Sequence, residues 1–443
     1  MLKNILAQAI AKETHSDAVD VYAGMYEEDY DFSNELIDLE ANTDAMNRVQ
    51  FALEALSELY LKMDKRLNVT ESPVSMEMGQ MFYDQACTLL ALCDEEWPVA
   101  TPTFESNDTL STDLHIAMEG VGDVLKRVVN KFGGLYEGQI ELLNNFFDVF
   151  FARLNGLQKR VESQRVALER SGDTPKKDTL KIAKGKRLYI PGKQQTIPTA
   201  EDVETFTQDI LRWSDMSALR DAIDVAIEAS KAEEITDRTN NRVTATQKAI
   251  IEHYGLVIST EHKGMFGSLS SALFNKEAMI SKQALMGGIR IAATIGKPKG
   301  DSGEYGRLYL TDLKPDLTAG RPAKKSFVAS APTKADLEAL NRATEELIKG
   351  MIQLKRDHKE NIATLNKHKA SLNELRRLPP RQLALLLAGS LVPGISVGVF
   401  NLMMVFRWAN MMSLTSRQLY RHGGYVASAL LSATGAGIAN LKE

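Results

Sequence analysis

Apolar residues recur at helical spacing along most of the chain, most clearly between Ile116 and Arg165. There Leu143, Phe146, Phe147, Phe150, Leu154, Leu157 and Val161 are separated by one to four residues, which predicts a long helix with an aromatic face. Gly133–Gly134 is expected to divide this helix from a shorter basic one before it. Upstream, Val49, Leu53, Leu56, Tyr60 and Met63 mark a helix that starts near Leu36 and ends before Asn68. A second runs over Met76–Cys93 and stops short of Trp97–Pro98. Downstream, Thr199-Ala-Glu-Asp202 reads as a capping box opening a helix through Phe206, Ile210, Trp213, Leu219, Ile223 and Ile227. Another helix is predicted over Asn240–Tyr254. From a cap at Thr333, Leu337, Leu340, Leu347, Met351, Leu354, Leu365, Leu372 and Leu375 predict one long helix reaching Pro379–Pro380. A helix of that length needs partners along it, as in a bundle.

Alternation replaces helical spacing in two places. Ile182, Leu188 and Ile190 can line one side of a short hairpin near 180–191 with Gly185 in its turn. Within 255–315, the stretches GLVIST, GGIRIAATIG and GRLYLTDL read as strands, with GKPKGDSGEYG as a loop between the last two. The fold class is therefore mainly α with a small β-containing segment, an α+β arrangement of long bundled helices. Leu383–Phe406 carries no charge and is long enough to span a bilayer. Gly389, Pro393, Gly394, Gly398 and Asn401 interrupt it, however. A buried apolar helical hairpin bending at Pro393–Gly394 is the expectation, and a membrane is not an expected partner.

Charge adds what periodicity omits. The 443 residues have a net charge of −5, but residues 1–119 hold 24 acids against 6 bases, a net of −18. Residues 120–443 hold 34 acids and 47 bases, a net of +13. Such asymmetry suggests either an acidic segment that masks a basic one or two solvated domains of opposite sign. Residues 94–113 are rich in Pro, Ser, Thr and Asp and read as an exposed linker. Four regions follow: an acidic helical segment over 1–119, a helical region with the basic hairpin over 120–254, a mixed β-containing segment over 255–328, and helices over 329–443. Residues 1–34 are acidic, weakly patterned and expected to be poorly ordered. Cys87 and Cys93 are the only cysteines, so no disulfide framework is implied.

No catalytic pattern is present. The seven histidines are dispersed, with no HExxH or zinc-spaced Cys/His cluster. Gly296-Lys-Pro-Lys-Gly300 lacks P-loop order, and GxSxG and GxGxxG are absent. We expect no enzyme activity, no cofactor and no metal. Lys176, Lys177, Lys181, Lys184, Lys186, Arg187 and Lys193 fall within eighteen positions holding one acid, Asp178. That density suits neutralisation of DNA phosphates without base readout. Ordinary solvated charge is the competing reading.

At Ala117-Met118-Glu119-Gly120, followed by VLKRVVNKF and IELLNNFFDVFFARLNGLQKRVESQRVAL, the chain resembles internal head proteins of giant tailed bacteriophages. The resemblance implies a virion structural protein packed in the capsid interior, with an acidic N-terminal propeptide. It implies trimming by a head-maturation protease after glutamate in a Ser/Ala/Gly-x-Glu context, and ejection of some members with the DNA. Ala117-Met118-Glu119 matches that context, as do Ser33-Asn34-Glu35, Ala52-Leu53-Glu54, Ser75-Met76-Glu77, Ala167-Leu168-Glu169, Ala226-Ile227-Glu228, Ser259-Thr260-Glu261 and Ser302-Gly303-Glu304. The charge switch singles out Glu119–Gly120. The expected partners are nonspecifically bound phage genomic DNA, the protease and other capsid interior proteins. A scaffold or shell-binding protein without DNA contact is the alternative.

Overall fold

One helix of 61 residues, Leu110–Arg170, is the spine of the molecule. The computed structural model describes residues 33–68, 75–96, 110–193, 196–230, 245, 248–258, 276–296, 314–316, 326–387 and 398–441. In chain order the helices are α1 (Ser33–Asn68), α2 (Met76–Ala91), α3 (Leu110–Arg170), α4 (Ala200–Ser214), α5 (Ser217–Ser230), α6 (Lys334–Gln353), α7 (Lys355–Leu375), α8 (Pro380–Leu387) and α9 (Gly398–Ala439). Among the described residues six short strands lie between them: β1 (Thr179–Ile182), β2 (Leu256–Ile258), β3 (Lys276–Ser281), β4 (Arg290–Gly296), β5 (Lys314–Asp316) and β6 (Phe327–Ser330). The fold is mainly α with a small β part, as the periodicity predicts.

The predicted apolar faces are the buried ones. Leu143, Phe146, Phe147, Phe150, Leu154, Leu157 and Val161 of α3 are all at most 4% exposed. The Phe147 ring lies 3.8 Å from His358 of α7 and 4.9 Å from Tyr420 of α9, centroid to centroid. Burying each large apolar side chain contributes about 1.5–3 kcal/mol, an upper range because unfolded chains are already partly compact. Around α3 pack α1, α2, α6, α7, α8 and α9. α1 and α7 both run antiparallel to it: Asn42 meets Leu135 and Tyr60 meets Gly122, while Lys355 meets Phe151 and Tyr136 meets Leu365.

Both expected capping boxes form. The Thr199 hydroxyl accepts from the Asp202 N–H and the Asp202 carboxylate accepts from the Thr199 N–H, opening α4; Thr333 and Asp336 open α6 the same way.

Several expectations are corrected. Gly133–Gly134 does not end a helix. A Cβ at Gly133 would stand 2.0 Å from the Arg376 guanidinium, so this glycine is explained by a close approach between helices rather than by a turn. No hairpin forms near 180–191. β1 pairs antiparallel with β6, Thr179 opposite Ser330 and Ile182 opposite Phe327. The chain after β1 turns at Lys184, whose φ of 59° is left-handed, and sends Leu188 inward at 1% exposure. The helix predicted from Thr333 to Leu375 is broken at Leu354 (φ −62°, ψ −8°) into α6 and α7. No proline or glycine sits at that break. α6 packs chiefly on α4, α9 and α3, and α7 on α3 and α5, so each half follows its own neighbours.

β2–β3–β4–β5 form one antiparallel meander containing the expected strands near 256 and 290. GRLYLTDL and the bend at Pro393–Gly394 lie outside the described residues. α8 and α9 do pack together, and among the described residues no helix is long and apolar enough to cross a membrane.

Candidate processing site and nucleic-acid surface

Ala117, Met118, Glu119 and Gly120 lie inside α3, with ten helical residues before Gly120. Ala117 is fully buried, Gly120 is buried, Met118 is half-buried and Glu119 is exposed. Helical packing closes over the bond from both sides in sequence. A Cβ on Gly122 would lie 2.9 Å from Pro380 of α8 and 3.5 Å from the Tyr60 ring of α1. Burial raises the pKa of the Tyr60 hydroxyl, and the nearby charges of Asp64 and Glu119 add to that while Arg381 opposes it. Arg381 in turn pairs with Asp64 at 3.1 Å. Proteases act on locally opened backbone, so this bond is accessible only when α3 unwinds here or before α1 and α8 dock. The charge switch thus falls within a continuous element. The end of α2 is tied to the same spine, where the Lys131 ammonium donates to the Cys93 carbonyl and lies 3.9 Å from Glu95. Burial pushes the Cys93 thiol up to about 12, which keeps it an unreactive core group.

The seven basic residues do not share one surface. Lys176, Lys177 and Lys181 are exposed, whereas Lys184 and Lys186 are half-buried. Arg187 points into the core at 4% exposure, its guanidinium 4.5 Å above the Tyr425 ring, and so cannot meet a phosphate at the surface. Lys193 is exposed but is already paired with Asp202. Burial alone would raise the Asp202 carboxyl, yet hydrogen bonds from Lys193 and Thr199 hold it below its ordinary range. Asn440, just past the end of α9, fixes the segment at Lys176–Lys177. Its carbonyl accepts from the Lys176 N–H (2.6 Å), its side-chain oxygen accepts from the Lys177 N–H (3.2 Å), and its amide donates to the Lys177 carbonyl (2.8 Å).

What brings cations together is the end of α3. Arg170 is exposed there, next to Lys176 on a groove of about 430 Å³ that Val166, Ala167, Ile438 and Leu441 also line; Lys159 and Arg160 are exposed on the same helix about three turns earlier. The other wall of that groove is α9, which has no Asp or Glu anywhere between Gly398 and Ala439. Lys159, Ser163 and Arg170 share a helical face by their i, i+4, i+11 spacing, a signal present in the sequence ahead of the basic run after Pro175.

Three of the described histidines are packing groups. His358, His368 and His422 are buried on α7 and α9, and burial depresses each, to about 4, 3 and 4. The His422 Nε2 donates to the Met286 carbonyl at 2.7 Å. Among the described residues no group of His, Cys, Asp or Glu could hold a metal ion.

Residues 16–379 match the family of phiKZ-like phage internal head proteins, and the chain belongs to that family. That membership places it in the interior of the virion head. No curated protein and no solved structure matches it.

Proposed function

We propose that this protein is a DNA-associated structural component of the phage head interior, made in the host cytoplasm, trimmed by the head-maturation protease at Glu119–Gly120, and released with the genome at ejection. The observation that carries this reading is the charge split of −18 and +13, together with the cationic end of α3 beside an acid-free α9. Lys159, Arg160, Arg170, Lys176, Lys177 and Lys181 supply the phosphate contacts, sequence-independent and sensitive to salt. Trimming removes acidic chain that competes for those cations. Because the scissile bond lies within α3, the cut is made on chain that has not yet closed its core, or on a locally opened state. Two measurements test the proposal. N-terminal mass spectrometry on purified virions is expected to find Gly120 as a mature N-terminus; intact Met1-containing protein in mature particles refutes trimming. DNA affinity of the particle-derived protein is expected to fall steeply with ionic strength.

A second reading is a scaffold or shell-binding protein that contacts other interior proteins and no DNA. It is favoured by the burial of Arg187 and the pairing of Lys193 with Asp202, which leave fewer uncommitted cations at the surface than the sequence offers. Absence of DNA binding even at low salt decides for it.

A further inference from the structure

We infer that α1 remains bound to the rest of the fold as a separate chain once the connection between α1 and α3 is severed. The acidic segment is not a loosely attached arm. Leu39, Met46, Val49, Leu53, Leu56 and Met63 of α1 are each at most 2% exposed and belong to the same continuous core as the Phe face of α3.

Polar groups pin the helix at both ends. Toward its N-terminal end, Asn42 Nδ2 donates to the Leu135 carbonyl (2.9 Å) and to Gln139 Oε1 (2.8 Å). Gln139 Nε2 in turn donates to Thr43 Oγ1 (3.0 Å) and to Ser413 Oγ of α9 (3.2 Å). Toward its C-terminal end, Tyr60 packs over Gly122 and Asp64 pairs with Arg381 of α8. Those two anchor points are about 33 Å apart along the helix axis. α1 therefore docks through a long apolar face, with polar contacts to α3 and α8 fixing its register. None of these contacts depends on the covalent link through α2 and residues 97–109.

This sharpens how charge is removed. α1 carries seven acids and four bases, a net of −3, so fifteen of the eighteen net negative charges lie outside it, in residues 1–32 and 69–119. Keeping α1 in the core therefore retains only three of those net negative charges. The inference takes its setting from the trimming proposed above but stands on the packing alone.

The test uses the full-length protein with a site-specific protease recognition sequence placed within residues 97–109. After digestion, size-exclusion chromatography in native buffer at micromolar concentration, followed by mass spectrometry of the peak, is expected to find both pieces co-eluting, separating only in denaturant. Elution of the N-terminal piece by itself without denaturant overturns the inference. The paired variant Leu53→Asp, Leu56→Asp, cut in the same way, is expected to release the N-terminal piece; its continued co-elution also overturns the inference, because α1 would then be held by something other than this face. Neither outcome involves Glu119, DNA or the virion, so a failure here is separable from a failure of the proposed function.

Discussion

Replacing Gln139 by Leu isolates the polar lock between α1, α3 and α9. Gln139 is 3% exposed, and its amide makes three side-chain hydrogen bonds, at 2.8, 3.0 and 3.2 Å, to residues on two other helices. Leu is close in volume, so the substitution removes the bonds with little cavity. Asn42 keeps its bond to the Leu135 carbonyl and Thr43 its bond to the Leu39 carbonyl, so of the three partners the two on α1 are not orphaned outright. With each lost bond costing about 0.5–1.5 kcal/mol and the added methyl carbon giving some back, the net cost is about 2–3 kcal/mol. That is roughly a 30- to 150-fold rise in the population of the opened state. Amide hydrogen exchange of α1 is the assay, in the regime where closing outruns exchange. Amides of α1 are expected to exchange 30- to 150-fold faster, with a parallel change in α9 around Ser413. Asn42→Ala added to Gln139→Leu is expected to cost less than the sum of the two single changes. If protection of α1 changes by less than about twofold, the network does not hold the helix and the reasoning fails.

Lowering pH is expected to reduce the melting temperature between pH 7 and 5. His358, His368 and His422 have folded-state pKa values depressed below 6.5, so the unfolded chain binds more protons as pH falls, and stability is lost at up to about 1.4 kcal/mol per pH unit per histidine. A flat melting curve over that range contradicts the buried placement of these rings. Gly287→Val is expected to destabilise the fold by about 2 kcal/mol, read by thermal melting, because φ there is +89° and a Cβ would stand 3.0 Å from the His422 ring. The triple variant Lys159→Ala, Arg170→Ala, Lys176→Ala is expected to weaken DNA binding and flatten its salt dependence by up to about three units of slope. Arg187→Gln is expected to lower stability and leave that slope unchanged, since its guanidinium lies against Tyr425.

Helix faces were readable from the sequence because burial on one side of a helix writes itself at 3.6-residue spacing; every predicted position on the Phe face of α3 is buried. The capping boxes at Thr199 and Thr333 were readable for a similar reason: their chemistry is complete within four residues. What failed is non-local. β1 alternates like a hairpin strand, but its partner β6 lies far downstream beside the start of α6. Gly133 reads as a breaker until Arg376 is seen to need the space. Arg187 sits in a basic run and is indistinguishable there from its exposed neighbours, because only the tertiary fold brings Tyr425 over it. Charge composition located the cationic half of the chain, while the groove between the end of α3 and α9 needed the tertiary fold, because residues 163–176 and 438–441 are far apart in sequence.

The position of α9 also sets a schedule. Tyr420 closes over Phe147 and Phe150 of α3, yet the ribosome reaches α9 more than two hundred residues after finishing α3. At roughly 5–20 residues per second, the aromatic face waits some tens of seconds for its Tyr420 cover on every nascent chain. The order in which helices arrive therefore leaves the emerging chain an interval in which chaperones and proteases see this face without α9.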